Sequence, residues 1–194
     1  MSEIQDTPPL SFRRMDLERK LACPAGSFTQ PGPVLPAILA IVLALAFYGV
    51  VFAAGDTWFG RTFTEHSWVP YVIVAFSAWA LMLLFVKGRK IALQRKALRY
   101  DLWPDNSEFI LSTQTVSRVL NRLYEITDRP NDFLLFNRIQ FALYNLRHLG
   151  NVSEVGDMLR SRAENDEAAV ESSYTVVRGL IWAIPVLGFI GTVI

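Results

Sequence analysis

Three stretches of the chain contain no Asp, Glu, Lys or Arg: Val34 to Ala54, Trp68 to Val86, and Gly179 to Ile194. A hydrocarbon core of roughly 30 Å takes about 20 residues of helix at about 1.5 Å per residue. The first two runs are long enough, whereas the third, GLIWAIPVLGFIGTVI, would reach only about 24 Å. The pattern predicts an all-α integral membrane protein with two complete transmembrane helices over about 34–54 and 68–86. A tail over 1–33 precedes them, a helical segment over 87–178 follows, and a third membrane helix starts at 179–194. That last helix reads as cut short.

The segment between the second and third runs is too charged for lipid yet carries apolar stripes. Lys87 to Arg99 continues the second apolar helix, and Trp103 with Pro104 breaks it. Asp105 and Glu108 have the spacing of a capping box opening a helix that runs to about Ile126. Asp128 to Asn131 reads as a turn. Phe133 to Leu149 is apolar enough to resemble a membrane helix, but Arg138 and Arg147 argue against one, since a cation near the bilayer centre costs about 3 kcal/mol. Phe136, Ile139, Leu143 and Leu146 lie at helical spacing, which makes this an amphipathic helix with a face to bury. Gly150 ends it, and Ser153 is the expected N-cap of a further helix. No proline interrupts that helix before Pro185, so it is expected to run as one rod into the third apolar run.

Orientation follows from the flanking cations, because cytoplasmic flanks carry the excess. The tail has Arg13, Arg14, Arg19 and Lys20, the connection between the first two runs only Arg61, and the exit from the second run six cations between Lys87 and Arg99. The amino terminus and the middle segment are therefore expected to be cytoplasmic, the tail mobile. The six exit cations read first as a solvated face and topology signal, and second as a contact for anionic lipid headgroups. Trp58, Trp68 and Trp182 suit headgroup level, although ordinary packing explains each singly. A cleaved leader competes, since Val51 and Ala53 fit a cleavage site before Ala54, but its apolar run exceeds the usual stretch of about 7–15 residues.

The net charge of +1 gives no reason to expect nucleic acid as a partner. Cys23 is the single cysteine and permits no intrachain disulfide. His66 and His148 fall on opposite sides of the expected membrane and cannot share a metal. No nucleophile triad motif, phosphate loop or metal-ligand spacing occurs, so no catalytic residue, metal site or cofactor is expected, and the chain is not expected to be an enzyme.

Candidate chemistry is confined to the third run. Pro185, Gly188 and Thr192 stand at i, i+3 and i+7. They would put a missing N–H, a missing side chain and a hydroxyl on one face of a helix. Pro185 leaves the Ile181 carbonyl without its helical donor, Gly188 and Gly191 permit close approach of a neighbouring helix, and the Thr192 hydroxyl both donates and accepts. Because glycine and proline are frequent in membrane helices, and threonine commonly bonds back to its own helix, ordinary structure explains these residues equally well.

Ala183 to Ile194, AIPVLGFIGTVI, resembles the membrane-helix segment of the MotA/TolQ/ExbB proton channel family. The element order is similar too, most closely to the four-span arrangement of MotA, while the wording LGFIGTVI is nearer the TolQ and ExbB branch. The resemblance implies a multi-pass subunit of the bacterial inner membrane that forms a homo-oligomer, a pentamer, around a MotB-, TolR- or ExbD-like single-span partner. That partner would supply the proton-carrying aspartate, and Thr192 and Pro185 would line the ion path. The implied function is a proton-driven membrane motor. A non-conducting membrane scaffold whose cytoplasmic helices bind protein partners is the alternative, and an unrelated transporter a third reading.

Overall fold

The computed structural model of the chain describes Leu10, Asp16, Glu18 and residues 31–55, 57–64, 68–100, 113–127, 129–149 and 151–193. Among these the fold is all-helical. In chain order the helices are α1 (Val34–Ala53), α2 (Trp58–Thr64), α3 (Val69–Ala97), α4 (Thr113–Ile126), α5 (Leu134–Leu149), α6 (Val152–Ser172) and α7 (Thr175–Val193), with a 3-10 turn at Pro130–Asp132. Three stretches of helix are long and apolar enough to cross a membrane: α1, α3, and the path from Val152 to Gly191 that takes in α6 and α7 as far as Gly191.

α1 ends where Gly55 takes φ 54°, the left-handed conformation that suits glycine. The turn brings the Gly55 carbonyl so close to Gly60 that a Cβ there would lie 2.2 Å from it. Thr57 caps α2, its hydroxyl accepting from the Gly60 N–H at 3.3 Å. α1 and α3 then run antiparallel, with the Tyr48 and Tyr71 rings stacked at 4.7 Å near the end with this connection. α7 packs on another part of α3, also antiparallel, since residue 191 meets Val69 at one end and Ser173 meets Lys87 at the other.

α3 is one unbroken helix of 29 residues, about 43 Å long. Its apolar half lies between α1 and α7, and its basic half forms the spine of a second, polar-coated core. There Leu10, Ala97, Leu123, Phe133 and Phe136 are buried together, and Val116, Val119, Leu120 and Leu143 make an adjoining cluster between α4 and α5. The expected α5 stripe is all present, as Phe136 and Leu143 are buried and Ile139 and Leu146 pack against them. Arg138, which argued against membrane insertion, pairs with Asp166 of α6 at 3.0 Å.

Four sequence expectations need correction or narrowing. α3 ends at Ala97, where Leu98 to Tyr100 tighten into i→i−3 bonds and bring Tyr100 against the Leu123–Phe133 cluster; Trp103, Pro104, Asp105 and Glu108 lie outside the described residues. The N-cap of α6 is Asn151 rather than Ser153. Its Oδ1 accepts from the Ser153 N–H at 3.1 Å while its Nδ2 donates to Glu154 Oε1 at 3.0 Å. The rod from α6 into α7 is interrupted at Ser173 and Tyr174, where Tyr174 donates to the Glu171 carbonyl three residues back.

The tail is also held where it is described. The Leu10 N–H donates to the Ile126 carbonyl and the Thr127 hydroxyl to the Leu10 carbonyl, each at 2.7 Å. Burial of Leu10 in the core cluster supplies the driving force, which a reading of charge and proline content misses.

Candidate functional site

The inward face of the basic half of α3 gathers the chain. Lys87, Lys90, Gln94 and Ala97 follow one another at three- and four-residue steps, so they share a face. Lys87, only 3% exposed, donates to the Ser173 hydroxyl, and its ammonium lies 3.0 Å from the centroid of the Tyr174 ring. One turn on, the Lys90 ammonium is buried against Glu18 Oε2 at 2.6 Å, with Asp16 Oδ2 at 3.8 Å. Glu18 turns its other oxygen to the Gly32 N–H at 2.7 Å, directly before α1. Gln94 bridges the 3-10 turn and α5, donating to the Asp132 carbonyl and accepting from the Leu134 N–H, both at 3.0 Å.

Lys87 therefore sits where the charged pattern of α3 meets the apolar one, clasping the interruption between α6 and α7. Ser173 stays in the right-handed helical region at φ −66° and ψ −11°, and the helical path continues from α6 into α7, so the interruption changes the hydrogen bonding more than the path. Across it, Arg178 reaches Glu171 at 3.4 Å on the exposed side. An exposed pair of this kind contributes little, about 0–1 kcal/mol, so the inward clasp dominates.

α7 carries the residues singled out from the sequence, and the chain uses them differently. Pro185 lies inside the helix, which leaves the Ile181 carbonyl without its i+4 donor. Gly191 faces α3: a Cβ on it would lie 2.9 Å from Val69 Cγ1, and Val69 is itself buried. Gly188 has no described residue outside its own helix within 4 Å of where its Cβ would be. Thr192 occupies the last turn of α7, seven residues from Pro185, and its side chain lies outside the described residues. Val177 and Leu180 are buried toward α3, while Ile181, Trp182, Phe189 and Val193 are exposed, Trp182 by 74% and Phe189 by 72%. One flank of the helix is thus committed within the chain, and the flank bearing Pro185 is open.

Other chemistry is sparse among the described residues. No group of three His, Cys, Asp or Glu is placed to hold a metal. His148 is exposed, and His66 and Cys23 lie outside the described residues. An open cleft of about 190 Å³ is lined by Asn131, Asn137, Gln140, Phe141, Tyr144 and Arg162. Its polar groups serve mainly to join α5 and α6, as Arg162 donates to Asn137 Oδ1 at 2.9 Å and stacks on Phe141 at 4.6 Å. Within the apolar layer, the Tyr48 hydroxyl and the Trp79 indole N–H are buried with no hydrogen-bond partner among the described residues.

Sequence reasoning missed the inward face of α3. Lys87 and Lys90 at i, i+3 share a helix face by spacing alone, and Asp16 and Glu18 are the acids of an otherwise basic stretch of tail. That pairing of signs was the available signal. Comparison with protein-family models, characterised proteins and solved structures finds no match. The likeness of α7 to the MotA/TolQ/ExbB segment therefore stands on its own residues.

Proposed function

We propose that this chain is a subunit of a proton-driven membrane motor of the MotA/TolQ/ExbB kind, embedded in a bacterial inner membrane with its amino terminus in the cytoplasm. α1, α3 and α7 are its membrane helices, and α4 to α6 with the basic half of α3 form its cytoplasmic part. The observation that carries the reading is the two-sidedness of α7. Gly191 is used against Val69 inside the chain, whereas the flank with Pro185 is uncovered and Gly188 meets nothing. A helix with a small-residue position and a proline on an open apolar flank suits contact with helices of other subunits.

In this reading the subunits close into a homo-oligomeric ring, a pentamer, around a MotB-, TolR- or ExbD-like single-span partner. The aspartate of that partner carries the proton, which accords with the lack of Asp, Glu, Lys and Arg in the three apolar runs. Pro185 and Thr192 line the path, Gly188 serves subunit packing, and Gly191 serves packing on α3. The inward face of α3 transmits motion between α7 and the cytoplasmic helices, because Lys87 ties the α6–α7 junction to the same rigid helix that holds α5. The test is co-expression of the intact gene product with that of its neighbouring gene, followed by native mass spectrometry. A pentamer retaining a single-span partner supports the reading. A monomer or dimer without one overturns it in favour of a membrane scaffold.

A further inference from the structure

The six cations at the end of the second apolar run divide into two sets. Lys87 and Lys90 are buried on the inward face, and the other four, Arg89, Arg95, Lys96 and Arg99, are all exposed. None of these four forms an ion pair with a described residue. At about 100° per residue, Arg89, Arg95 and Lys96 fall with Gly88 and Ala92 in an arc of about 120° on α3, and Arg99 follows two residues past its end. Leu81 and Phe85 lie in the same arc two turns and one turn before Arg89, exposed by 57% and 51%. An apolar outward stripe therefore turns into a cationic outward stripe along one straight helix.

Gly88 marks the transition. It has no side chain on this stripe, and outside its own helix no described residue lies within 4 Å of where one would begin. The result is a notch directly below Phe85 with the Arg89 guanidinium beside it. The helix direction matters too, because Cα–Cβ bonds tilt toward the helix N-terminus, and the N-terminus of α3 is its apolar end. The Cβ atoms of Arg89, Arg95 and Lys96 therefore tilt back toward the apolar layer, the direction in which long cationic side chains snorkel. Arg89 lies about 6 Å below Phe85 along the axis and Arg95 and Lys96 about 15–17 Å, with Arg99 farther still, past the end of α3. The headgroup layer is about 5–8 Å thick and charge interactions are screened over about 8–10 Å, so their reach falls off in that order.

We propose that this stripe is a binding surface for anionic phospholipid headgroups, with the lipid phosphodiester in the notch at Gly88 against the Arg89 guanidinium, and with Arg95 and Lys96 supplying attraction from below. A guanidinium presents two parallel N–H donors to phosphate oxygens, which favours arginine in the contact position. The inference rests on reading α3 as a membrane span and does not need the motor function proposed above.

The test uses the full chain in nanodiscs of phosphatidylcholine doped with phosphatidylglycerol, and native mass spectrometry counts the phosphatidylglycerol retained per chain. Alkaline carbonate extraction of the source membranes comes first; release of the chain there would overturn the span reading and the lipid surface with it. For a chain that stays in the membrane, Arg89→Gln is expected to weaken phosphatidylglycerol retention roughly fivefold, the effect of one surface cation. Lys96→Gln is expected to weaken it less and Arg99→Gln hardly at all. Arg118→Gln, at an exposed position on α4, is the control and is expected to change nothing. Each single variant keeps the remaining cations that fix topology. Undiminished retention in Arg89→Gln, or equal losses in Arg89→Gln and Arg118→Gln, would overturn the proposal.

Discussion

The Lys87 ammonium lies 3.0 Å from the centroid of the Tyr174 ring, and through this contact a lysine on α3 holds the junction between two other helices. The same amine donates to the Ser173 hydroxyl, so both residues of the interruption are engaged by one side chain. A cation with little access to water on an aromatic face contributes about 2 kcal/mol, and a charged hydrogen bond about 1.5–3 kcal/mol. Lys87→Met keeps most of the apolar stem and removes both interactions. It is expected to destabilise the junction by about 2 kcal/mol, seen as faster amide hydrogen exchange confined to residues around 170–178. Unchanged exchange there would show that the junction holds without Lys87.

The buried Lys90 invites a contrasting experiment. Removing one member of a buried ion pair strands the other and costs about 3–5 kcal/mol, whereas replacing the whole group by apolar residues is often neutral or favourable. Glu18→Gln should therefore lower thermal stability strongly. A triple variant, Asp16→Asn, Glu18→Leu and Lys90→Met, should recover most of the loss. Melting followed by circular dichroism in detergent checks both, and equal losses in the single and triple variants would assign the cost to packing instead.

Where the sequence was readable and where it was not has a common physical cause. The apolar runs were legible because freedom from charge over about 20 residues has few other uses. The α5 stripe was legible because Phe136, Ile139, Leu143 and Leu146 recur at the helical period. The docking of the tail was not, since Leu10 meets Thr127 across 117 positions and no local pattern encodes that pairing. The interruption at Ser173 and Tyr174 was hidden for a different reason: the backbone stays near helical, so it requires neither glycine nor proline. The α6 cap was open to a better reading, because Asn151 and Glu154 already have the capping-box spacing. On α7 the sequence singled out Gly188 and Gly191 alike, and only the packing separates them.

That separation can be tested within one chain. Val69 is β-branched, stiff about χ1 and buried, so it has little freedom to yield to a new Cβ at 2.9 Å. Gly191→Ala is expected to cost about 1–3 kcal/mol by overpacking, and Val69→Ala in the same chain to recover part of it. Additive losses in the double variant would place the strain elsewhere. A thermal-unfolding cycle of the four proteins decides between the two.

Gly188→Leu should behave in the opposite way. No described residue outside its own helix lies within 4 Å of its Cβ position, so the added side chain starts in open space. Helical content and melting of the isolated subunit are expected to match the parent. If Gly188 serves contact between subunits, the larger side chain holds neighbouring helices apart, and native mass spectrometry should show loss of the ring at unchanged subunit stability. A variant that assembles normally would remove Gly188 from the contact.

Thr192→Val then separates assembly from conduction. Valine keeps the branched shape of threonine and replaces the hydroxyl by a methyl, so packing is nearly conserved while a donor and acceptor are lost. If the proposed ring and partner form, proteoliposomes holding them should retain parental stoichiometry but show slower proton uptake under an imposed potential, read with an internal pH-sensitive dye. Pro185→Ala in the same assay restores an N–H that can satisfy the Ile181 carbonyl. If an unsatisfied carbonyl at that depth is part of the path, this variant too should conduct more slowly without losing subunits. Parental flux in both variants would remove the α7 flank from the ion path and leave it a purely structural surface.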